Sequence, residues 1–544
     1  MDPVIVVGAG PVGLALSLAL AAQEVPSVLL DEDPDGDETR PARTVVLRED
    51  TADLVERLGC TALRHEGARW SGWRSVRRKQ VVRELALDGG EHLGEDVSDG
   101  DPPLCSPVHL PQHALTRGLR KAVTAQELVR VVPCSRIDTL EQDTTGITAR
   151  TREPNATWWR GSYLVGCDGA RSTVRKLLDI RFPGRTAVER HAVAALRTEL
   201  PWPRQAVLHR LPPWRSGGAE VAARPLPDGV WRLDWLLPPR GELVTPDALI
   251  TRIRDTLAGW CGETPPYELL DTGVYTLHHR LALRWRADRA FLAGDAAHLL
   301  GALGTQGLDE GLRDAENLAW KLALAWHHGA SDVLLDSYQA ERRAAVASRL
   351  RAADQWLPIL RGGGGLRTLV PGSARGYDSL LADAHLGRGR LGAPPSYSHS
   401  PLAPAHAEAH TSVGTPPGAP VIDVRVTAPD GTTVRLRERL GLGNLLVVLV
   451  APGTGVWDRR HWKTAGVMPR LATAVDALPV KSELLVTECY PGASAHTVLL
   501  IRPDGHLVAT FGGVRPQELY AAADAVRGGA VPTAAHSDRT ADIN

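Results

Sequence analysis

The chain has 544 residues, which is enough for several domains of ordinary size. Its 62 lysines and arginines balance 63 aspartates and glutamates, so the formal net charge of −1 excludes an overall field that would attract nucleic acid or an anionic membrane. The six cysteines show no metal-ligand or disulfide spacing, no apolar run approaches a membrane span, and the first strand begins at Val4 without room for a signal peptide. We therefore expect a soluble, cytoplasmic protein without a metal site.

The amino-terminal stretch VIVVGAGPVGLALSLALAAQEVPSVLLD predicts a nucleotide-binding βαβ unit. An apolar strand leads into a glycine turn, a helix follows to about Gln23, and a second strand ends in an acid. In this pattern Gly8 allows the turn, Gly10 lets a pyrophosphate approach, and Gly13 lets the helix pack on the strand. Asp31 is placed to accept the hydroxyls of an adenosine ribose. The expected cofactor contacts here are Gly8, Gly10, Pro11, Val12, Gly13, Asp31 and Glu32, and the pattern by itself fits FAD or NAD equally.

Two later motifs also place an acid where an apolar strand stops. YLVGCDGARSTVRKLL contains Asp168, and FLAGDAAHLLGALGTQGLDEGLRDAENLAWKLA contains Gly294 and Asp295. Open α/β sheets collect ligands at the carboxyl ends of their strands, which favours a ligand role for these acids. The alternative is that each acid only caps a helix, and Ser172 could assist at Asp168.

Together and in this order, the three motifs resemble the class A flavoprotein monooxygenases, the family of para-hydroxybenzoate hydroxylase and the aromatic polyketide hydroxylases. The resemblance covers roughly Val4 to Leu350. ARTVVLREDTADLVERLG resembles the segment whose arginine, here Arg43, touches the FAD phosphates, and LPQHALTRGLRKA resembles the stretch with a flavin-contacting glutamine, here Gln112. The resemblance implies FAD as cofactor, with NAD(P)H docking only transiently as co-substrate.

The resemblance also assigns the third motif. Asp295 would bind a ribityl hydroxyl of FAD, and the loop Gly301, Ala302, Leu303, Gly304 and Thr305 would lie near the flavin. Gln306, Gly307 and Leu308 would follow at the amino end of a helix that points at the flavin pyrimidine. The chain departs from the family at Asp309, where relatives carry asparagine. An ionised carboxylate there would oppose the helix dipole, so we expect Asp309 to be neutral or turned to solvent.

The predicted fold class is α/β, with a Rossmann-like FAD-binding domain at 1–179 and 286–360, a β-sheet substrate domain at 180–285, and a thioredoxin-like domain at 421–531. A linker at 361–420 and a disordered tail at 532–544 complete the prediction. The third domain has no Cys-x-x-Cys pair, so we expect it to serve packing or a homodimer instead of dithiol chemistry. The middle domain is rich in tryptophan, of which most should be packing and one or two should line a pocket: Trp202, Trp214, Trp231, Trp235, Trp260 and Trp285.

The resulting hypothesis is an FAD-dependent monooxygenase that uses NAD(P)H and O2 to hydroxylate a polycyclic aromatic substrate of polyketide type through a flavin C4a-hydroperoxide. The alternatives are Baeyer–Villiger oxygenation of a polycyclic ketone or quinone, and a non-oxygenating flavin-containing binding protein, which the unusual loop at 301–305 favours. No catalytic side chain is identified. A small acidic substrate would need a dedicated cation, for which Arg210, Arg224 and Arg232 are candidates.

Overall fold

The computed structural model describes residues 1–34, 39–61, 63–87, 106–152, 156–214, 219–238, 244–329, 331–361, 373–404, 411–453 and 466–529. The tail expected at 532–544 lies outside these residues, as do parts of the expected linker. Two compact units are present: the first comprises Met1–Ala319 and Arg342–Pro395, and the second comprises Trp320–Glu341 and Ser396–Asn544. The finer domain boundaries stay predictions.

The strands up to residue 395 are, in chain order, β1 Val4–Val7, β2 Ser27–Leu30, β3 Thr44–Leu47, β4 Ala68–Arg69, β5 Gly72–Arg77, β6 Gln80–Ala86, β7 Val108–Pro111, β8 Val129–Val132, β9 Ile137–Gln142, β10 Ile147–Thr151, β11 Trp158–Gly161, β12 Tyr163–Gly166, β13 Gly184–Arg197, β14 Gln205–Arg210, β15 Glu220–Pro225, β16 Val230–Leu237, β17 Glu268–Leu281, β18 Arg286–Ala287, β19 Ala290–Leu292 and β20 His298–Leu299. The helices are α1 Pro11–Ala21, α2 Glu49–Arg57, α3 Leu63–Glu66, α4 Gln112–Thr124, α5 Thr173–Leu177, α6 Pro246–Cys261, α7 Gly307–His328, α8 Asp332–Tyr338, α9 Ala344–Arg361, α10 Ser373–His385 and α11 Gly389–Gly392. Within the described residues, no helix has the length and apolar character needed to cross a membrane.

A mostly parallel sheet forms the centre of the first unit. In the described residues its order is β18-β19-β12-β1-β2-β8, and β1 pairs in parallel with both β2 and β12. β1, β2 and β12 are buried along their whole length, which explains their nearly unbroken apolar sequences. The Rossmann-like α/β prediction is confirmed. Because β12 also pairs in parallel with β19, three neighbouring strands end at the same edge.

A second sheet of the first unit follows the order β20-β17-β13-β16-β15-β14-β5-β6 among the described residues. Helix α6 packs on one face, where the Trp235 indole N–H donates to the Thr256 hydroxyl at 3.0 Å. The long strands β13, β16 and β17 supply the predicted middle sheet. Strands β5 and β6, which come from the amino-terminal part of the chain, extend it through a parallel pairing of β5 with β14.

The second unit has the predicted thioredoxin-like arrangement. Its further elements are β21 Arg425–Thr427, β22 Thr433–Arg435, β23 Leu445–Val450, α12 Met468–Asp476, β24 Ser482–Thr487, β25 Thr497–Ile501, β26 Leu507–Gly512 and α13 Pro516–Val526. β23 and β24 are parallel and joined across α12, whereas β25 and β26 are antiparallel. Alternate residues of β23 enter two different cores, so the strand is apolar throughout.

A buried ion cluster lies in the second unit. Glu341 accepts hydrogen bonds from Lys321 at 2.7 Å and from Arg502 at 2.6 and 2.9 Å, and Arg502 also binds Asp504. The Arg502 guanidinium lies 5.0 Å from the ring centroid of Trp320. Burial raises the pKa of Glu341, but the charges of Arg502 and Lys321 outweigh it and hold the pKa below its usual range.

We expect Arg502→Gln to lower the free energy of unfolding by about 3–5 kcal/mol, because it removes the guanidinium that the buried carboxylates of Glu341 and Asp504 share. The measurement is a urea unfolding curve. The matched control is Arg515→Gln, which removes an ion pair with Glu518 on the exposed surface of α13 and should change little. Equal effects of the two substitutions would contradict a structural role for the cluster.

Candidate nucleotide and flavin site

The three acid- or glycine-bearing turns lie together because of the strand order. β19, β12 and β1 are consecutive neighbours and run parallel, so the turns that follow them share one edge of the sheet. Gly8 follows β1, Asp168 follows β12, and Asp295 follows β19. This edge is where open α/β sheets bind ligands.

The three glycines of the first turn differ in the space that surrounds them. Gly8 has a φ of +105°, and a side chain there would come within 2.6 Å of the Cys167 carbonyl oxygen. A methyl group on Gly13 would overlap the carbonyl oxygen of Gly8, whereas one on Gly10 would meet nothing within 4 Å. Gly8 and Gly13 are therefore required by the fold itself, and Gly10 leaves space at the helix end.

The amino terminus of α1 has the character of an anion site. Gly10 occupies the N-cap position without a side-chain cap, and Pro11 begins the helix. The first N–H groups therefore point outward with the positive end of the helix dipole. The Val12 side chain packs against Gly294 of the third motif: a Cβ atom on Gly294 would lie 3.1 Å from it.

The acids after β2 differ in their surroundings. Asp31 accepts hydrogen bonds from the N–H groups of Ala9 and Asp33, the latter at 2.8 Å, so it is fixed beside the glycine turn. Glu32 is exposed and lies 3.5 Å from Arg136. Asp31 thus has the position expected of the ribose acceptor, and that role stays a prediction.

Arg43 and Gln112, which lie far apart in the chain, come together. Arg43 immediately precedes β3 and Gln112 immediately follows β7. These two strands pair antiparallel. The Arg43 side chain donates to the Gln112 amide oxygen at 3.0 Å, and the Gln112 N–H donates to the Arg43 carbonyl at 2.8 Å. The charge of Arg43 also acts on Asp295. The structure therefore brings these two residues towards the third motif.

Asp168 caps α5. It accepts from the Ser172 hydroxyl at 2.6 Å and from the N–H groups of Thr173 and Val174 at 2.6 and 3.0 Å. Burial raises the pKa of Asp168, and these hydrogen bonds offset part of the rise. The capping alternative is thus realised, and a cofactor contact of Asp168 stays a prediction.

Asp295 follows β19 at the common edge of the sheet. Its side chain is exposed although its neighbours Gly294 and Ala296 are buried, and enough protein surrounds it for burial to raise its pKa. The charges of His298 and Arg43 offset part of that rise. A methyl group on Gly307, the first residue of α7, would lie 3.6 Å from the Asp295 carboxylate. Gln306, Gly307 and Leu308 are partly buried beside it.

A buried network that the sequence did not predict holds this turn. Asp314 accepts from the N–H of Gly294 at 3.0 Å, faces His298 Nε2 at 2.8 Å, and accepts from Arg342 at 2.9 Å. Arg342 also binds Glu310, whose pKa burial raises but the surrounding arginines hold well below its usual range. His298 is therefore part of the network that holds the turn. The signal in the sequence was the run of charges DEGLRDAEN inside an apolar helix.

The loop 301–305 has an unusual backbone. Leu303 has a φ of +56°, which is uncommon for leucine, and Gly304 follows with a φ of +84°. Glu189 accepts the Leu303 N–H at 3.2 Å, and Arg48 donates to the Gly304 carbonyl at 3.1 Å. Side chains at Gly301 and Gly304 would crowd Leu277 and His385, so protein packing already requires both glycines. Ala302 and Thr305 are buried.

The expectation that Asp309 turns to solvent is wrong. Asp309 is fully buried, pairs with Arg48, and accepts from the Thr51 hydroxyl at 2.8 Å. Its charge is balanced by a guanidinium, so it does not oppose the dipole of α7 as an isolated carboxylate would. The sequence could not indicate this pair, since Arg48 lies 261 residues away.

A row of buried charged side chains on the second sheet contacts both the loop 301–305 and Ala42, the residue before Arg43. His191 lies between Asp234 at 2.7 Å and Glu189 at 3.5 Å. Arg232 binds Asp234 at 2.8 Å and donates to the Ala42 carbonyl at 3.0 Å. Burial lowers the pKa of His191, but the two carboxylates together raise it to about 9. His191 is therefore charged at neutral pH.

The six tryptophans of the middle region divide into two groups. Trp231, Trp235 and Trp285 are buried packing residues. Trp202, Trp214 and Trp260 are partly buried: Trp214 and Trp260 pack against His209, and Trp202 packs against Trp260. Among the described residues, no group of histidine, cysteine and acidic side chains could hold a metal ion.

Alanine at Gly10 and at Gly13 should have different consequences. Gly13→Ala should destabilise the fold because its methyl group overlaps the Gly8 carbonyl. Gly10→Ala should fold normally, since its φ of −71° suits alanine, but should bind FAD more weakly because the methyl group faces the expected pyrophosphate. Melting temperature and flavin absorbance after dilution measure the two effects. Full flavin retention by Gly10→Ala would contradict this placement.

His191 should make stability fall as pH rises through about 9. Its pKa lies above the ordinary 6.5, so the stabilisation from its carboxylates is complete below pH 6.5 and is lost as the ring deprotonates. His191→Gln should abolish this loss. The readout is the difference in urea midpoint between variant and wild type at each pH. This difference is needed because burial lowers the pKa of Lys321 to about 8, so Lys321 makes stability rise with pH in both proteins.

The control for this pH experiment is His209→Gln. Burial lowers the pKa of His209, so its ring is neutral throughout the alkaline range. Its variant should keep the wild-type slope above pH 6.5 even if overall stability changes. If His191→Gln and wild type showed the same slope, the imidazolium assignment would be refuted.

Comparison with known proteins identifies the family. Residues 1–353 match the model described as the FAD binding domain. Among similar curated proteins, the 3-(3-hydroxy-phenyl)propionate/3-hydroxycinnamic acid hydroxylase of Paraburkholderia xenovorans (strain LB400) is 34% identical over 265 residues, 47% of this chain and 40% of the relative. The alignment thus spans about two fifths of that relative's length. The hydroxylase of the same name from Mycobacterium sp. (strain JLS) is 28% identical over 92% of this chain and 88% of its own.

Solved structures share the fold over nearly the whole chain. The flavin-dependent monooxygenase PieE, in complex with FAD and substrate, superposes with a TM-score of 0.74 at 21% identity and covers 96% of this chain and 98% of its own. The Diels-Alderase PyrE3 of the pyrroindomycin pathway gives 0.65 at 24% identity, with 97% and 100% covered. These likenesses concern the fold alone. Because the family model covers more than half of the chain, the protein belongs to the FAD-binding-domain family of class A flavoprotein monooxygenases, and FAD is its cofactor.

Proposed function

We propose that the protein is a monooxygenase that uses FAD, NAD(P)H and O2 to hydroxylate a planar polycyclic phenol or quinone of polyketide type. The observation that carries the proposal is the common edge of β1, β12 and β19, where Gly8, Asp168 and Asp295 meet. The uncapped end of α1, the acceptor Asp31 and the accessible carboxylate of Asp295 fit a dinucleotide that carries a pyrophosphate and a polyol chain.

When bound, FAD supplies the redox chemistry: it accepts a hydride from NAD(P)H and activates O2, so that one oxygen atom enters the ring and the other leaves as water. The protein binds and orients. The amino end of α1 would hold the pyrophosphate, and Asp295 would accept from the ribityl chain. The amino end of α7 would favour negative charge on the pyrimidine, since Arg48 already balances Asp309.

Two of the three candidate arginines are already paired, which supports a large ring system without a carboxylate as substrate. A small aromatic acid, the kind of substrate in the names of the curated relatives, would need a cation for its carboxylate. Arg210 already pairs with Asp378 at 2.7 Å, and Arg232 pairs with Asp234 at 2.8 Å. Arg224 has only a distant ion pair, 3.7 Å from Asp234. The proposal includes cytoplasmic location and a homodimer, both carried over from the sequence.

A non-oxygenating flavin-containing binding protein is the second candidate. The left-handed Leu303 and the side chains that pin its loop favour it, because a loop fixed in this way differs from the family pattern. The same fold also occurs in the Diels-Alderase PyrE3. Baeyer–Villiger oxygenation would use the same site and differ only in the product.

The test is consumption of NADPH or NADH by the FAD-loaded protein with and without 1,8-dihydroxyanthraquinone, and separately with 3-(3-hydroxyphenyl)propionate. We expect the polycyclic compound to accelerate NAD(P)H oxidation and to gain one atom of ¹⁸O from labelled O2. Free FAD with the same compounds is the control. Release of hydrogen peroxide without labelled product, across both compounds, would favour the binding protein, and label inside an enlarged ring would identify Baeyer–Villiger chemistry.

A further inference from the structure

Several buried N–H groups of the first unit have no acceptor among the described residues, and two of these lie in one cluster. These two are the indole Nε1 of Trp70 and the guanidinium Nε of Arg224. Trp70 is 1% exposed and Arg224 is 8% exposed, so bulk water does not reach them. A buried donor without an acceptor is unfavourable and uncommon, which indicates that something else supplies the acceptor.

Both groups belong to one cluster, here called the Trp70 cluster: Trp70, Trp73, His109, Arg224 and His385. The Trp70 ring lies 6.2 Å from that of Trp73 and 5.9 Å from that of His109. Trp73 stacks on His385 at 5.0 Å, and His385 Nδ1 lies 3.4 Å from Arg224 Nη2. The His109 ring is hydrogen-bonded to the carbonyl of Pro225, the residue after Arg224. The contacts therefore close into a ring.

The histidines of the cluster cannot serve as the missing acceptors. A carbonyl only accepts, so His109 Nδ1–H donates to Pro225 at 2.8 Å, and Nε2 then accepts from the Thr44 hydroxyl at 2.9 Å. Burial holds the pKa of His109 well below its usual range, which keeps the ring neutral. His385 Nδ1 already faces the Arg224 guanidinium. The cluster thus presents donors.

The Trp70 cluster adjoins the loop 301–305. Ala302 and Leu303 pack in the same core as Trp70 and Trp73. A side chain on Gly304 would start 2.8 Å from His385 Nδ1. The resemblance places this loop at the flavin, so the two donors lie next to where an aromatic substrate would have to sit. The left-handed backbone of Leu303 is a local strain that displacement of the loop would relieve.

We propose that Trp70 Nε1–H and Arg224 Nε–H bind carbonyl or phenolate oxygens of the aromatic substrate, beside the stacked pair of Trp73 and His385. This inference rests on the proposed function. It gives the substrate a chemical requirement: a planar ring system that carries acceptor oxygens. The indoles provide large flat surfaces at low cost in side-chain entropy.

The test is the dissociation constant of 1,8-dihydroxyanthraquinone for the FAD-loaded protein without NAD(P)H, measured by calorimetry. Trp70→Phe removes one donor and keeps an aromatic ring. Arg224→Lys keeps the charge and removes the Nε donor. Each should weaken binding about tenfold or more, the loss expected for one buried hydrogen bond to an anionic or strongly polar acceptor.

The matched control is Trp73→Phe. Trp73 is as buried as Trp70, but its N–H already donates to the Ser75 hydroxyl at 2.9 Å. This variant should weaken binding of the quinone only about threefold or less. Anthracene, which has no acceptor oxygen, should bind the Trp70→Phe and Trp73→Phe variants equally well. Flavin content and melting temperature verify that each variant folds, and Arg224→Lys tests the same site if Trp70→Phe does not.

The outcomes separate this inference from the proposed function. The inference would be overturned if Trp70→Phe and Trp73→Phe weakened binding equally. It would also be overturned if wild type bound none of 1,8-dihydroxyanthraquinone, 9,10-anthraquinone and 3-(3-hydroxyphenyl)propionate, even if NAD(P)H is consumed with another compound. Selective weakening without NAD(P)H consumption would support the inference and refute the monooxygenase. Stronger dependence on Trp70 and Arg224 for the propionate than for the quinones would refute the assignment to carbonyl and phenolate oxygens.

Discussion

The parallel pairing of β1 with β12 and of β12 with β19 is the constraint on which the site depends. These strands are short and buried, so they can be held only by neighbours on both sides and by helices on both faces. Their common direction puts three turns from distant parts of the chain at one edge. The close approach of Gly13 to Gly8 then sets α1 directly behind the first turn, with its amino end toward the same space.

Hydrogen bonds between buried charged side chains and the backbone fix the parts that strand pairing does not reach. Asp314 holds the Gly294 turn, Arg48 and Glu189 hold the loop 301–305, and Arg232 links the second sheet to Ala42. These contacts join segments separated by up to 256 residues at the loop. Because these side chains are buried, loss of one of them would leave a buried backbone group without its hydrogen-bond partner. The turn and the loop of the predicted flavin site are therefore positioned by polar contacts inside an otherwise apolar framework.

The sequence predicted those parts of the fold that have local causes. The βαβ unit is visible because strand, glycine turn, helix and second strand follow one another within Val4–Leu30, and the confirmed α/β class follows from it. The pair of Arg48 with Asp309 had no local signal, and the expectation that Asp309 turns to solvent failed for that reason. The grouping of Trp320–Glu341 with the carboxyl-terminal residues was equally invisible, since it depends on tertiary packing and on the pairing of Glu341 with Arg502. Which residues touch the cofactor stays a prediction.

The buried arginines have a consequence for how this chain can change. Arg313 binds both Asp50 and Glu310, Arg342 binds both Glu310 and Asp314, and Arg502 binds both Glu341 and Asp504. A planar guanidinium can serve two carboxylates at once, whereas an ammonium group is a point charge on a flexible stem. Only six of the 62 basic residues are lysine. What looks in the composition like a mere bias is, at these three positions, a condition of the fold: an exchange to lysine would preserve the charge and leave a carboxylate inside the protein without its donor.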